Sequence, residues 1–333
     1  MGIAPLTQIQ VGKESSWGGA VAAAARWMGL SDACRVTPIA RNTQRRYLRP
    51  NLAPTHRAHQ TYRSAQLTVA GDLNTSDILY VLMSGMRGGI SPTGAGNAKT
   101  WAYDAQMTAS PAVESRTIEW SDGQQEYEVP GCICSQFEIS ANNAEDSMVQ
   151  FSSTWLGKDW SQSTITGALS DRAVNYLPGL GTRLYVNDIG GTIGSTELTA
   201  TLVSWTYTFG MVTLKRRQSG AITPAGVSYL VPTCTLNMRI EHDTAGATEL
   251  AKYLANTGRL IRLKNELGAA ISGGGNHTLQ LDFAGDVVED IALADTEDGD
   301  TVIDVSMAAR YDTGAFASFT KATVINELAA IVG

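Results

Sequence analysis

From Leu67 to Gly85 the chain reads LTVAGDLNTSDILYVLMSG, and from Leu236 to Gly258 it reads LNMRIEHDTAGATELAKYLANTG. Each stretch opens with alternating apolar and polar residues, the period-two pattern of a strand with one buried face. Each then crosses a short polar turn into a run with apolar residues at helical spacing and ends on glycine. In the first run Thr75 or Ser76 is the expected N-cap, because a hydroxyl there accepts the free first-turn amides. Asp77 suits the positive helix start. Ile78, Leu79, Val81 and Leu82 supply the apolar stripe and Gly85 closes it. In the second run Thr248 is the expected cap, Leu250, Tyr253 and Leu254 the packing side chains, and Gly258 the stop. A further strand pair follows each, Cys132 to Trp160 in one half and His277 to Tyr311 in the other. The likeness is of pattern rather than identity, and such a recurrence implies a duplicated β unit.

Working outward, Leu198 to Phe209 is the longest alternating segment, with Val203, Trp205, Tyr207 and Phe209 on one face. A strand of this kind sets one side on a core and the other toward solvent or a lumen. Asp122-Gly123 marks a hairpin turn between Ile118–Trp120 and Tyr127–Val129. Ile261, Leu263 and Leu267 read as strand, as do Leu279 to Phe283 and Val302 to Met307. The stretch from Pro178 to Ser195 is rich in glycine and holds only one short strand, Arg183 to Asp188, which marks a connector. The expected organisation is therefore one unit over 1–180, a connector over 181–195 and a second unit over 196–333. Residues 1–30 read as an extended arm. Residues 35–63 read as a long loop or hairpin, since Pro38, Pro50 and Pro54 forbid a long helix.

A length of 333 residues suits about two domains of roughly 150 residues. With 43% hydrophobic and 17% charged residues the chain can bury sizeable cores. A net charge of −7 argues against a protein that grips nucleic acid tightly. No apolar run reaches the roughly 18 residues of a membrane span. Four cysteines are too few for a disulfide scaffold, and with no signal-peptide pattern at the start the expectation is folding in a reducing cytosol.

The motifs of enzymes and cofactor sites are weak. Gly89 to Thr100 lacks the lysine that must directly follow the last glycine of a phosphate loop, because Ala95 follows Gly94. Gly190 to Gly194 fails the dinucleotide pattern. Cys132 and Cys134 share a strand face without a second ligand pair at zinc spacing, so core filling is the plainer reading. His56, His59, His242 and His277 stand apart, and no Ser/His/Asp arrangement emerges. No enzymatic activity, cofactor or metal is expected.

Two charge features remain. Residues 35–63 carry Arg35, Arg41, Arg45, Arg46, Arg49, Arg57 and Arg63 and no acidic residue. They form either a solvated loop or an inter-subunit arm whose guanidinium groups meet a neighbour's carboxylates. From Asp282 to Asp304 the chain carries Asp282, Asp286, Glu289, Asp290, Asp295, Glu297, Asp298, Asp300 and Asp304 with no lysine or arginine. The spacing does not fit a calcium-binding EF-hand loop. A surface facing solvent, a basic neighbour or a passing polyanion fits better, and an acidic lumen would let DNA slide with little adhesion.

At this point the residues resemble the major tail tube proteins of long-tailed bacteriophages. The likeness lies in Gly12 to Ala23 (GKESSWGGAVAA), in Leu52-Ala53-Pro54 with Arg57, in Asp77 to Tyr80, in Pro130-Gly131-Cys132, in Arg183 to Asp188 leading into Gly190 to Gly194, and in the closing His277 to Tyr311 unit. The resemblance implies a mainly β fold: two tandem β-sandwich or half-barrel domains, each with a short flanking helix, that join sheets between subunits into a β-barrel ring. A ring of this kind closes edges that an isolated sheet leaves open. It implies rings stacked into a tube for DNA ejection, with three fused chains per pseudo-hexameric ring, or six chains as in single-unit members. It further implies a tape measure protein inside the tube, terminator and baseplate proteins at its ends, transient and unspecific contact with DNA, no membrane, a place in the virion tail and synthesis in the bacterial cytoplasm. Trp17, Arg41, Arg45, Arg46, Arg49 and Arg57 become candidates for contacts between subunits or rings. Asp282, Asp286, Glu289, Asp290, Asp295 and Asp298 become candidates for a lumen or acidic surface. A ring-forming terminator or baseplate hub protein is the alternative. A carbohydrate-binding β-sandwich is a third reading, for which Trp101, Trp120, Trp155 and Trp160 are the available aromatic material.

Overall fold

The computed structural model describes residues 6–45, 47, 53–143, 146–199, 201–215, 220–288, 291–297 and 299–331, with backbone alone at 292–295 and 297. In chain order its strands are β1 (Gln8–Lys13), β2 (Ala25–Arg26), β3 (Arg35–Arg45), β4 (Arg57–Asp72), β5 (Lys99–Asp104), β6 (Arg116–Ser121), β7 (Glu126–Asn142), β8 (Gln150–Gly157), β9 (Ser161–Gln162), β10 (Thr182–Asp188), β11 (Glu197–Leu198), β12 (Leu202–Lys215), β13 (Gly226–Glu241), β14 (Arg259–Asn265), β15 (Thr278–Val287), β16 (Ala292–Glu297), β17 (Asp300–Ala309) and β18 (Thr320–Asn326). Helix α1 (Ile78–Gly85) follows β4 and helix α2 (Thr244–Leu254) follows β13. The fold is mainly β, as the alternating segments imply.

The long strands form one open antiparallel wall in the order β3–β4–β8–β7–β12–β13–β17–β16. Alternation drives it. In β4 Ala65, Leu67 and Val69 are buried while Gln66 and Thr68 between them are not. In β12 Trp205, Tyr207 and Phe209 are buried and Thr206 and Thr208 are not. Val203, expected on that buried face, is only half-buried. A register irregularity between Leu202 and Ser204 breaks the alternation there and buries Leu202 instead.

Behind the wall lie two smaller antiparallel sheets. One runs β2–β1–β6–β7–β9 and the other β11–β10–β14–β15–β18–β5. β7 serves both layers: its first half pairs with β6 and its second half with β8 and β12. Gly131, at φ +68° next to Pro130, lies where it leaves one layer for the other, a conformation other residues adopt only with strain. β15 makes the same change, pairing with β14 and then, over Gly285 to Val287, with β17.

The pairings made by β1–β9 have counterparts among β10–β18. β1–β2, β1–β6, β6–β7, β7–β9, β3–β4, β4–β8 and β7–β8 correspond to β10–β11, β10–β14, β14–β15, β15–β18, β12–β13, β13–β17 and β16–β17. β10, whose residues the sequence places in the connector, thus pairs with β14. β5 has no counterpart, because only residues 255–258 separate α2 from β14.

Two helix starts differ from expectation. At α1 neither Thr75 nor Ser76 caps. The Asn74 side-chain oxygen accepts the Ser76 and Asp77 amides at 3.1 and 2.7 Å, and Asp77 holds the N-cap position. All eight residues of α1 are buried, packed on β7 and β12. At α2 Asp243 caps by accepting the Gly246 amide at 2.7 Å, so the helix starts earlier than the Thr248 reading places it. Thr248 sits inside it and donates to the Thr244 carbonyl at 2.9 Å. Leu254 is largely exposed rather than packed. Leu267 lies beyond the end of β14 and is exposed.

Candidate assembly surfaces

The arginine-rich stretch is the β3–β4 hairpin. Beyond the point where β8 ends, opposite Ala65, the hairpin runs on as a two-stranded ribbon. Arg35, Arg41, Arg45 and Arg57 are exposed on it, and among the described residues no carboxylate pairs with them. Arg41 lies over the Tyr62 ring at 5.8 Å. Arg45 stands directly opposite Arg57. Like charges facing across two strands destabilise the pair, so this rung suits an acidic partner from outside. Arg63 is different: it pairs with Asp159 at 2.5 Å and covers the Trp160 ring at 4.5 Å. Arg46 and Arg49 lie outside the described residues.

Trp17 is not on that hairpin, and the segment around it is not a free arm. β1 is a core strand with Ile9 and Val11 buried, paired along its length with β6. The loop after it is tied down by Glu14, which is 7% exposed. Its carboxylate accepts the Gly18 amide at 2.8 Å, Ser115 Oγ at 2.7 Å, Thr117 Oγ1 at 2.9 Å and the Gly131 amide at 2.6 Å. Trp17 packs beside Gly131 with the Lys158 ammonium 5.1 Å from its ring. No sequence motif marks Glu14. Its one signal was position, as the only acid in a glycine- and serine-rich run that cannot pack a core by itself.

The acidic candidates separate. Asp282, on β15, is buried and held by Arg262 through bonds of 2.7 and 3.0 Å, so it belongs to no acidic surface. Asp286 bonds Arg310 at 3.1 Å. Asp304, on β17, is paired bidentately with Arg239 of the neighbouring strand at 2.8 and 2.9 Å. The tract lacks bases in sequence, yet cross-strand pairing brings them in. Glu289, Asp290 and Asp298 lie outside the described residues, as does the side chain of Asp295. The outward face of the wall carries Gln136, Glu138 and Ser140 on β7, Thr206 and Thr208 on β12, and Asn237 on β13. It is a polar face whose Arg239 and Asp304 neutralise each other. Ile261, which reads as strand in the sequence, lies on β14 in the smaller sheet and not on the wall.

The middle of the wall is the β12–β7 joint, with Ser204 to Gly210 opposite Asn142 to Gln136. Behind it the rings of Phe137 and Phe209 lie 5.5 Å apart and those of Phe137 and Tyr207 6.2 Å apart. The turn of the β12–β13 hairpin reaches back to β4, where the Ile222 carbonyl accepts the Arg63 amide at 2.8 Å. Further along β13, Tyr229, Leu230 and Val231 are exposed, Val231 to 87%. At its ends the wall is open: among the described residues β3 pairs only with β4, and β16 only with β17.

The family model for phage tail tube protein matches residues 5–320 of the chain. No curated protein matches it significantly. A mainly β chain with an open antiparallel wall, matched over nearly its whole length, belongs to the phage tail tube protein family: a structural component of the virion tail that assembles with itself into a tube.

Proposed function

We propose that this chain polymerises as stacked rings into the tail tube of a long-tailed, siphovirus-like phage, the conduit through which DNA passes at ejection. The observation that carries the ring geometry is the recurrence of the β1–β9 pairings in β10–β18. It favours two fused tube units, over 1–180 and 196–333 with 181–195 between them, and hence three chains in a pseudo-hexameric ring. The polar wall face is the lumen surface on this reading. Its hydroxyl and amide groups and its paired charges offer DNA few cations, so little counterion release rewards binding and the polymer slides. The exposed arginines Arg41, Arg45 and Arg57 and the Trp17 loop serve contacts between subunits or rings. The tape measure protein occupies the tube, terminator and baseplate proteins close its ends, and the chain is made in the host cytoplasm before it joins the tail.

Electron microscopy of the purified protein at rising concentration, with mass per ring, tests this. Hollow tubes with three chains per ring are the expected result. Six chains per ring would keep the tube and reject the fused-unit geometry. Discrete rings that never stack would move the assignment to a terminator or baseplate hub.

A further inference from the structure

The open wall has one end at β3 and the other at β16, and the chain itself contains a worked copy of how such ends meet. β12 corresponds to β3, since each is the first strand of a long hairpin. The second strand of that hairpin, β13 or β4, pairs with β17 or β8. The later half of β7 corresponds to β16, since each lines the far side of β8 or β17. Inside the chain β12 docks on β7. We propose that β3 of one copy docks on β16 of the next in the same way, antiparallel, and that this joint between chains is held by charge where the joint within the chain is not. The proposal rests on the tube reading above and names the edges and the force that close the ring.

The register follows from the pairings. Thr206 lies opposite Asn237, and Arg35 opposite Thr68, at matching places on the two hairpins. Ser140 lies opposite Gln150, and Asp295 opposite Val302, at matching places on the other side, because Gln150 and Val302 face the strand ends Asp72 and Glu241. Thr206 pairs with Ser140. The equivalent pair between copies is Arg35 with Asp295, and the ladder runs from there along β3 toward Pro38. Proline has no amide to give a ladder, so Pro38 marks where the ladder on β3 stops.

The two joints differ in charge. The paired part of β12 has no charged residue and that of β7 has only Glu138. β3 carries Arg35, Arg41 and Arg45 and no acid, while residues 289–297 carry Glu289, Asp290, Asp295 and Glu297 and no base. Opposite charges steer association and fix register, and exposed pairs of this kind weaken as salt screens them. A second feature agrees. Within the chain the turn after β12 covers Arg63 on β4. The corresponding stretch of β13 adjoins Leu230 and Val231, which are exposed with nothing over them among the described residues. The β3–β4 hairpin of a neighbouring copy arrives at that apolar stretch.

Full-length variants Arg35→Asp and Asp295→Arg, and the double variant R35D/D295R, test the pairing by charge exchange. Assembly is read by pelleting and microscopy over a salt series, with Tm and circular dichroism as checks on folding and hydrogen exchange on the β3 and β16 amides. Each single variant is expected to fold as the wild type and to lose at least about tenfold in assembled fraction at low salt, because residues of like charge then occupy paired positions of the two strands. The double variant is expected to recover to within about twofold. Wild-type assembly is expected to fall as salt rises from about 0.05 to 0.5 M, as screening shortens the reach of the charges. Single variants that assemble like the wild type, a double variant no better than the singles, or wild-type assembly that strengthens with salt would overturn the charged edge joint while leaving wild-type tubes as support for the tube reading. A wild type that stays monomeric at every salt, with β3 amides unprotected, would overturn both.

Discussion

Replacing Glu14 with glutamine is the sharpest test of how the first loop is held. The carboxylate accepts four hydrogen bonds, and each oxygen takes one backbone amide and one hydroxyl: Gly18 N with Ser115 Oγ, and Gly131 N with Thr117 Oγ1. An amide keeps only one accepting oxygen. Whichever way it turns, its NH2 group faces one backbone N–H that has no other acceptor. The hydroxyl on that side can rotate and accept instead, so one donor is orphaned and one charge-assisted bond is lost. A bond to a charged group is worth about 1.5–3 kcal/mol and an orphaned buried donor costs about 1–3 kcal/mol. Glu14→Gln should therefore destabilise the fold by about 3–5 kcal/mol. At a per-residue unfolding entropy of about 2.1 cal/mol/K, a chain of 333 residues should lose about 4–7 °C in Tm. Differential scanning calorimetry reads the shift, and hydrogen exchange at Gly18 and Gly131 reads the local opening of the loop that carries Trp17. A Tm shift under about 1 °C with both amides still protected would refute the reasoning.

Other outcomes follow from single sites. Phe209 is fully buried against Phe137 at the β12–β7 joint, so Phe209→Ala should cost about 3–5 kcal/mol by urea unfolding, and a loss under about 1 kcal/mol would mean that the joint is not a packed core. His277 bridges Thr75 Oγ1 and Asn175 Nδ2, each at 2.9 Å. Burial lowers its pKa below 6.5, against a weaker opposing pull from Glu327. A depressed folded pKa gives stability that is present above 6.5 and lost as pH falls through the folded value, so His277→Gln should flatten the stability profile over that window. All four cysteines are buried and free, with the Cys234 thiol pushed up to about 12 and Cys132 and Cys134 well above the usual thiol range by burial. A thiol reagent at pH near 8 should label none in the native chain and all after denaturation; rapid native labelling would contradict the packing.

The parts of this fold that were legible in sequence are those fixed by local periodicity. β4, β12 and the Asp122-Gly123 hairpin announce themselves because a half-buried strand must alternate and a tight turn needs particular residues. The caps differ from the sequence expectation for a physical reason. Thr75 and Ser76 carry the right group, but the Asn74 side chain takes the Ser76 and Asp77 amides, and at α2 Asp243, five residues before Thr248, caps by taking the Gly246 amide. Residues 8–13 belong to the 1–30 stretch that reads as an extended arm from its glycine- and serine-rich run and the alanines after it. Gln10 is nonetheless buried, on a strand whose partner β6 lies more than a hundred residues away. Asp282 and Asp304 looked like an unbalanced acidic surface for the same cause: Arg262 and Arg239 reach them across strands, and cross-strand neighbours are invisible to a reading along the chain. The sequence does show that residues 35–63 carry no acid, and among the described residues no carboxylate pairs with Arg35, Arg41 or Arg45.

The two proposed joints of the ring would not be equal. Within the chain the β1–β9 and β10–β18 halves are clasped twice, by β12 on β7 in the wall and by β5 on β18 in the smaller sheet, where Lys99 to Asp104 pairs with Asn326 to Lys321. The Trp101 indole nitrogen adds a bond of 3.1 Å to Asn326 across that second clasp. β5 exists because residues 86–115 separate α1 from β6, while α2 runs almost directly into β14, so β10–β18 include no counterpart of β5. Between chains the proposed joint would have the wall ladder without that second clasp, and its ladder would be charged where β12 on β7 is not. The stronger clasp is thus the one that never needs to form from separate molecules. On this proposal the weaker one would be the contact between copies, for which β3 waits as an edge carrying Pro38 and Arg35, Arg41 and Arg45.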